Sequence, residues 1–220
     1  LVEIGDSVSG IAMLIGYPEY DEDRIYNSCV VIRDNRVVSR YRKQLLPNYS
    51  VFDEERYFTA GREPAVFTIN GIRLGMTICE DVWKPGPMAQ SRGAGAECII
   101  AINGSPFALG TQTRREKVMQ QRLSEVGVPA LYLNMVGGQD ELVFDGGSFA
   151  MSADGGIRLR ASSFEEGIHV ATLRAKPSGV TIDEGPREPE LSTEETVYRA
   201  LVTGTRDYVT KHGFPGVVIG

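Results

Sequence analysis

IRLGMTICEDVWKPGP, residues 72–87, is the stretch whose reading decides the fold. Ile72–Ile78 is apolar and β-rich and predicts a buried strand. That strand stops at Cys79, where the chain turns at once into Glu80, Asp81, Val82 and Trp83, then into Lys84-Pro85-Gly86-Pro87, which no central strand tolerates. A nucleophile on such a strand-end turn is presented at a sheet edge, and the next backbone N–H can help bind an oxyanion. A lone cysteine in an apolar strand is otherwise a small buried hydrophobe, the reading that serves for Cys29 and Cys98. Cys79 differs from those two in the abrupt turn on its C-terminal side.

Working upstream, AVFTI (residues 65–69) and the Asn70-Gly71 pair make a hairpin with Ile72–Ile78. Further back, NSCVVI (27–32) and VVSRYRK (37–43) flank a polar turn at Asp34-Asn35, a second hairpin that delivers Lys43 at its far end. Ile11–Gly16 is a short continuous apolar run and predicts a strand buried on both faces. Residues 44–64, QLLPNYSVFDEERYFTAGREP, keep no period and predict a long loop, a common seat of function. A strand-end lysine is ordinarily a solvated surface charge. Lys43 instead runs into Leu45, Leu46, Pro47 and an aromatic loop, an unusual setting for a free head group.

Working downstream, PMAQSRGAGA (87–96) predicts a short helix packed closely on a sheet, and CIIAIN (98–103) a buried strand. Thr111 to Val126 is helical, with Val118, Met119, Leu123 and Val126 as its apolar face. PALYLNMV, LVFDGGSFAMS, GIRLRAS and GIHVATL add four β-like runs, with an Asp154-Gly155 turn joining two of them. Strand–helix–strand crossovers mixed with hairpins predict an α/β layered fold with mixed sheets. Residues 176–191 are polar and rich in Pro, Gly and acid, and read as a linker. After it, Ser192 and Glu195 fit a capping box, while Val197, Tyr198, Leu201, Val202, Tyr208 and Val209 fit one helical face.

Composition narrows the function class. The 220 residues include 42% hydrophobic and 24% charged residues with a formal net charge of −6, so the basic footprint of a nucleic-acid binder is missing. No apolar run approaches the roughly 20 residues of a membrane span, and LVEIGDSVSG has no signal-peptide pattern, which makes a cytoplasmic location the default. The three cysteines form no CxxC pair, so neither a disulfide framework nor a zinc site is indicated. His169 and His212 are the only histidines and neither is placed to serve Cys79, which disfavours a Cys-His site. The opening without methionine and the abrupt close on GVVIG read as cuts in a longer chain.

The motifs then carry a resemblance. YRKQLLPNYSVFDEERYF (41–58) resembles the lysine motif of the nitrilase, or carbon-nitrogen hydrolase, superfamily in the version found in glutamine-dependent NAD synthetases. TICEDVW (77–83) is similar to that family's nucleophile elbow, INGSPFALGTQTRRE (102–116) to the stretch completing its amide pocket, and LNMVGGQDELVFDGGSF (133–149) to its next strand and loop. The match spans nearly all of residues 11–175 in the family's order.

The resemblance implies an α-β-β-α sandwich with mixed sheets, truncated at the N-terminus, and a catalytic triad of glutamate, lysine and cysteine. Cys79 takes the nucleophile's place and Lys43 the lysine's. The glutamate belongs to a segment before the strand beginning at Ile11, and Glu3 is too close to that strand to stand in for it. Tyr49 and Ser105 fall on glutamine-binding positions, and Thr111 on a further polar contact where the family's pattern favours a cation. Glu54 matches an acidic position that supports the lysine, although beside Asp53 and Glu55 it reads equally as a solvated charge. The Glu80 N–H would join Lys43 in holding the oxyanion. The glutaminase half needs no metal or cofactor, while ATP and Mg²⁺ serve the synthetase domain.

The implied organisation is an amidase domain over 1–175, a linker over 176–191, and over 192–220 a connecting helix and the first strand of the synthetase domain, which GFPGVVIG resembles. The partners are L-glutamine and the covalently linked synthetase domain, with a homo-oligomer expected. A stand-alone nitrilase-like amidase or carbamoylase is the alternative enzyme. A scaffold that keeps the fold without catalysis is the alternative outside enzymes.

Overall fold

The computed structural model describes residue 4 and residues 9–219; Glu3 lies outside them. Three strands, β1 (Ala12–Asp21), β2 (Arg24–Arg33) and β3 (Arg36–Arg42), form an antiparallel sheet in the order β1-β2-β3. Asp34 and Asn35 both take positive φ in the β2–β3 turn, as a primed hairpin turn requires. β4 (Val66–Ile69) and β5 (Ile72–Ile78) form the second hairpin, through Asn70 and Gly71 at φ 48° and 82°.

The second sheet has six strands, in the order β11 (Ile157–Arg160), β10 (Phe149–Met151), β7 (Ala130–Asn134), β6 (Cys98–Asn103), β5 and β4. Its middle is parallel: β5 pairs with β6, and β6 with β7. Helices α1 (Glu80–Trp83) and α2 (Pro87–Gly93) lie between β5 and β6 in the chain, and α3 (Thr111–Val126) between β6 and β7. β10 and β11 add antiparallel strands at one edge, as β4 does at the other. Mixed orientation results from that alternation of crossovers and hairpins.

Two apolar cores define the layers. Cys29, Val31 and Tyr41 of the small sheet meet Leu74, Met76, Ile78 and Cys98 of the large one. On the other face of the large sheet, Ile99, Ala101, Ala130 and Tyr132 pack under Met88 of α2 and Met119 and Leu123 of α3. At Gly75 the packing is tight: a Cβ there would stand 2.9 Å from that of Ala96 and 3.0 Å from that of Ser91. The glycine lets α2 sit directly on β5, which carries Cys79 at its end.

Several expected elements differ. β1 is not buried on both faces; it pairs only with β2 and is half-buried, because a second turn at Glu22-Asp23 makes it the outer arm of a hairpin of two ten-residue strands. LVFDGGSFAMS is two strands, since Gly146 and Gly147 at positive φ split β9 (Leu142–Asp145) from β10, and β9 pairs with β8 (Val136–Gln139) in a separate hairpin. GIHVATL is not a strand through residues 167–172, where Ile168, His169 and Val170 are exposed. The strand there is β12 (Leu173–Lys176), paired with β13 (Gly179–Ile182) inside the expected linker. Val180 and Ile182 bury against the body, and the Gly185 and Glu188 N–H groups donate to the Arg158 and Arg160 carbonyls, so that the segment is folded onto the domain through residue 188.

The Ser192 cap is present, its hydroxyl accepting from the Glu195 N–H at the start of α4 (Thr193–Lys211). The face that α4 buries is Ala200 and Thr203, packed on β8, rather than the apolar stripe. Tyr198, Leu201, Val202 and Tyr208 remain exposed, and Val217–Ile219 lie outside any strand and are exposed as well. No helix among the described residues is long and apolar enough to cross a membrane.

Candidate active site

β5 is buried along nearly its whole length, and the Cys79 N–H donates to the Ile102 carbonyl of β6 at 3.1 Å, tying the residue that follows the strand into the sheet. Cys79 then adopts φ 46°, ψ −100°, a conformation that costs a residue with a Cβ and persists only where its surroundings impose it. α1 starts immediately, with the Glu80 N–H among the first-turn donors that no helix bond uses. Cys79 is 8% exposed.

Lys43 comes directly after the end of β3. Its N–H donates to the Asn27 carbonyl and its own carbonyl accepts from the Gly61 N–H, both at 2.8 Å. A Cβ on Gly61 would fall 2.1 Å from the Arg42 carbonyl oxygen, so only glycine allows the returning loop this close. The Lys43 side chain is 1% exposed and its ammonium meets Glu54 Oε1 at 2.6 Å. Glu54 is held by its N–H donating to the Pro47 carbonyl and by Asn27 Nδ2 donating to its other oxygen. Lys43 is therefore no surface charge, and Glu54 is not freely solvated.

Burial pushes the Cys79 thiol up to about 11; the Lys43 ammonium opposes that, while the carboxylates of Glu54, Glu80 and Asp81 reinforce it. The isolated site thus holds a neutral thiol at neutral pH, poised for a partner that takes its proton as it attacks. Glu80 accepts from the Tyr49 hydroxyl at 2.8 Å, and burial together with that carboxylate pushes the phenol up to about 12. Tyr49 and Glu80 line one cleft of about 670 Å³ with Leu45, Leu46, Phe58 and Lys84.

Ser105 sits just beyond β6. Its N–H donates to Asn134 Oδ1 at 2.9 Å, and its hydroxyl accepts from Arg115 Nε at 3.1 Å. The Arg115 guanidinium is fully buried, forks onto both oxygens of Asp145 at 2.8 and 2.9 Å and also donates to the Ser105 and Pro106 carbonyls. Thr111, the first residue of α3, lines a different recess of about 210 Å³, beside Asp145, Arg160 and Phe164. Of the expected residues, then, Lys43, Glu54, Cys79, Glu80 and Tyr49 are brought together, Ser105 is anchored to a second network, and Thr111 faces elsewhere.

Sequence reasoning misses Arg115, Asp145 and Asp81. Arg115 is spaced four, eight and eleven residues ahead of the buried Met119, Leu123 and Val126, so the helical period alone places it on the inner face. His169 is exposed, and His212 packs on Tyr208 and Phe214 at the end of α4. Among the described residues no group of three or more His, Cys, Asp or Glu could hold a metal ion.

Two packed sheets with a cysteine on the strand-end turn define a protein of the nitrilase fold, and solved structures agree. An amidase of the nitrilase superfamily from Nesterenkonia superimposes with a TM-score of 0.62 over 70% of this chain and 58% of that one at 22% identity, a likeness of fold. The carbon-nitrogen hydrolase family matches residues 8–180, and the chain belongs to that family. Among curated relatives, the glutamine-dependent NAD(+) synthetase of Acinetobacter baylyi is 38% identical over 215 residues, 97% of this chain and 39% of that protein. The Rhodobacter capsulatus protein of the same name is 40% identical over 220 residues, again 97% of this chain and 39% of the relative. The structure of the Acinetobacter baumannii synthetase in complex with adenosine diphosphate matches with a TM-score of 0.91 at 36% identity, covering 98% of this chain and 40% of that one. The chain spans about two fifths of the length of these relatives.

Proposed function

We propose that this chain is the glutamine-amidase part of a glutamine-dependent NAD synthetase. The observation that carries the reading is the buried Lys43–Glu54 pair, within electrostatic reach of a cysteine held in a strained turn. Relatives bearing the name of that enzyme align over nearly all of the chain.

Cys79 Sγ attacks the side-chain carboxamide carbon of glutamine, and its proton passes to a carboxylate base. The resemblance assigns that base to a glutamate ahead of β1. The carbonyl oxygen becomes an oxyanion, which the Lys43 ammonium and the Glu80 N–H stabilise. Collapse breaks the C–N bond, the nitrogen takes up the proton and leaves as ammonia, and a thioester to Cys79 remains. Water, deprotonated by the same base, cleaves the thioester to glutamate and free thiol. Glu54 keeps Lys43 oriented; Tyr49, Ser105 and Thr111 are the proposed substrate contacts, Thr111 requiring a substrate that reaches toward α3.

The ammonia serves an ATP- and Mg²⁺-dependent amidation of nicotinic acid adenine dinucleotide in the synthetase domain. In this scheme residues 1–175 are the amidase, 176–191 the link and 192–220 the start of the synthetase side. A cytoplasmic homo-oligomer belongs to the same proposal. The test is Cys79→Ala in the full-length protein. NAD synthesis from glutamine is lost while synthesis from added ammonia persists; loss of both, or retention of both, overturns the division of labour.

A further inference from the structure

Asp81 is fully buried, yet it neither attacks the amide nor carries the proton. Four donors converge on it. Oδ1 accepts from the N–H groups of Gln44 at 3.2 Å and Leu45 at 2.9 Å, and Oδ2 from the Tyr41 hydroxyl at 2.7 Å and the Ile78 N–H at 3.0 Å. Tyr41, Gln44 and Leu45 bracket Lys43, and Ile78 immediately precedes Cys79. One carboxylate therefore joins the two chain segments that carry the oxyanion cation and the nucleophile, segments that belong to different sheets.

Resting on the amidase reading of the site, we propose that Asp81 is the positioning residue that holds Lys43 and Cys79 in register across the two sheets. Burial pushes the Asp81 carboxyl up, the Ile78, Tyr41 and Leu45 donors and the Lys43 ammonium oppose that, and the ionised form is the one whose four acceptor positions all four donors satisfy. Buried charge is expensive unless so compensated, and an apolar residue here would leave the Gln44, Leu45 and Ile78 N–H groups and the Tyr41 hydroxyl without this acceptor. What an apolar residue could not do is fix the backbone on both sides of Lys43 relative to Ile78. Catalysis depends on that fixing, because a misplacement of about 1 Å between nucleophile and oxyanion donor can cost about 10²-fold in rate.

Asp81→Asn tests the role with nearly unchanged volume. Whichever way the amide is turned, its NH₂ confronts at least one backbone N–H. Glutamine hydrolysis by the full-length variant is expected to show kcat lowered about 10²-fold with KM unchanged, since the fault lies between Cys79 and Lys43 rather than in substrate contacts. A second readout is the pH dependence of Cys79 alkylation by iodoacetamide, with Cys79→Ala as blank. The ionisable groups acting on the thiol are Lys43, Glu54, Glu80 and Asp81, with the phenols of Tyr49 and Tyr132 coupled to it as well. Removing one anion from that set moves the alkylation midpoint down, which a role confined to stability would not do.

An Asp81→Asn enzyme with wild-type kcat overturns the proposal, whatever the midpoint does. If that variant does not fold, Tyr41→Phe, which removes one of the four bonds, decides: a several-fold loss in kcat at constant KM supports the role, and wild-type kcat sinks it. Cys79→Ala separates the two levels of the reading. A Cys79→Ala protein that still hydrolyses glutamine removes the site on which the proposal rests, whereas an inactive one beside a fully active Asp81→Asn removes the positioning role alone.

Discussion

The Lys43 ammonium and Glu54 Oε1 stand 2.6 Å apart, with the lysine side chain 1% and the glutamate side chain 18% exposed. This pair turns a strand-end lysine, ordinarily a solvated charge, into a fixed cation facing Cys79.

Replacing Lys43 by Met keeps the stem and removes the charge. Glutaminase turnover is expected to fall by about 10²-fold or more, the scale of losing one oxyanion donor. Arg at the same position does not rescue it, because a planar fork does not replace a compact ammonium in a closed site. Steady-state glutamine hydrolysis measures both, and near-normal turnover in the Met protein returns Lys43 to the surface-charge reading.

Glu54→Gln leaves the lysine buried beside a neutral amide. Breaking a buried pair from one side costs about 3–5 kcal/mol; with part of Glu54 in contact with water the lower end applies, a fall in Tm of roughly 6–12 °C. In a double-mutant cycle with Lys43→Met the two losses should not add, since each removes the same contact. Additive losses in thermal unfolding would show that the pair is not coupled.

Arg115 makes its own prediction. Arg115→Lys keeps the charge but cannot reproduce the bidentate contact with Asp145 while also reaching Ser105. It is expected to lose stability on the same 3–5 kcal/mol scale, about what breaking a buried pair costs. Chemical denaturation measures it, and a shift under about 1 kcal/mol would mean that Asp145 finds other donors.

Three buried thiols contribute to the alkaline limit, as do the buried phenols of Tyr41 and Tyr132, which burial also pushes up. Burial pushes Cys79 up to about 11 and Cys29 and Cys98 up to about 12. Because the folded values lie above the unfolded one, each thiol contributes stability that is complete below an ordinary thiol pKa of about 8.5 and is lost as pH rises through the folded values. Tm should therefore decline from about pH 8.5 toward pH 11–12. In Cys98→Ala the decline becomes shallower, and a Tm that stays flat across this window contradicts the sign.

Much of the fold was legible because local signals and tertiary structure agree. Asp34-Asn35 and Asn70-Gly71 specify their turns by conformation alone, and the helix predicted from Thr111 to Val126 has those bounds. β12 and β13 were hidden because four-residue strands among Pro, Gly and acid look like a linker until Val180 and Ile182 are seen to bury. The α4 stripe misled for the opposite reason: apolar spacing gives a helix face but does not say whether anything covers it. At the site, the strand-end turn announced Cys79, whereas the burial of Lys43 and the fourfold role of Asp81 depend on two sheets meeting, which no local window contains.

The most direct test of the central claim is intact-mass analysis of the full-length protein after exposure to an electrophilic glutamine analogue. A single adduct is expected, located by peptide mapping on Cys79, with Cys29 and Cys98 unmodified and with protection by excess glutamine. An adduct that survives in Cys79→Ala, or the absence of any adduct in a protein that hydrolyses glutamine, would contradict a Cys79 thioester.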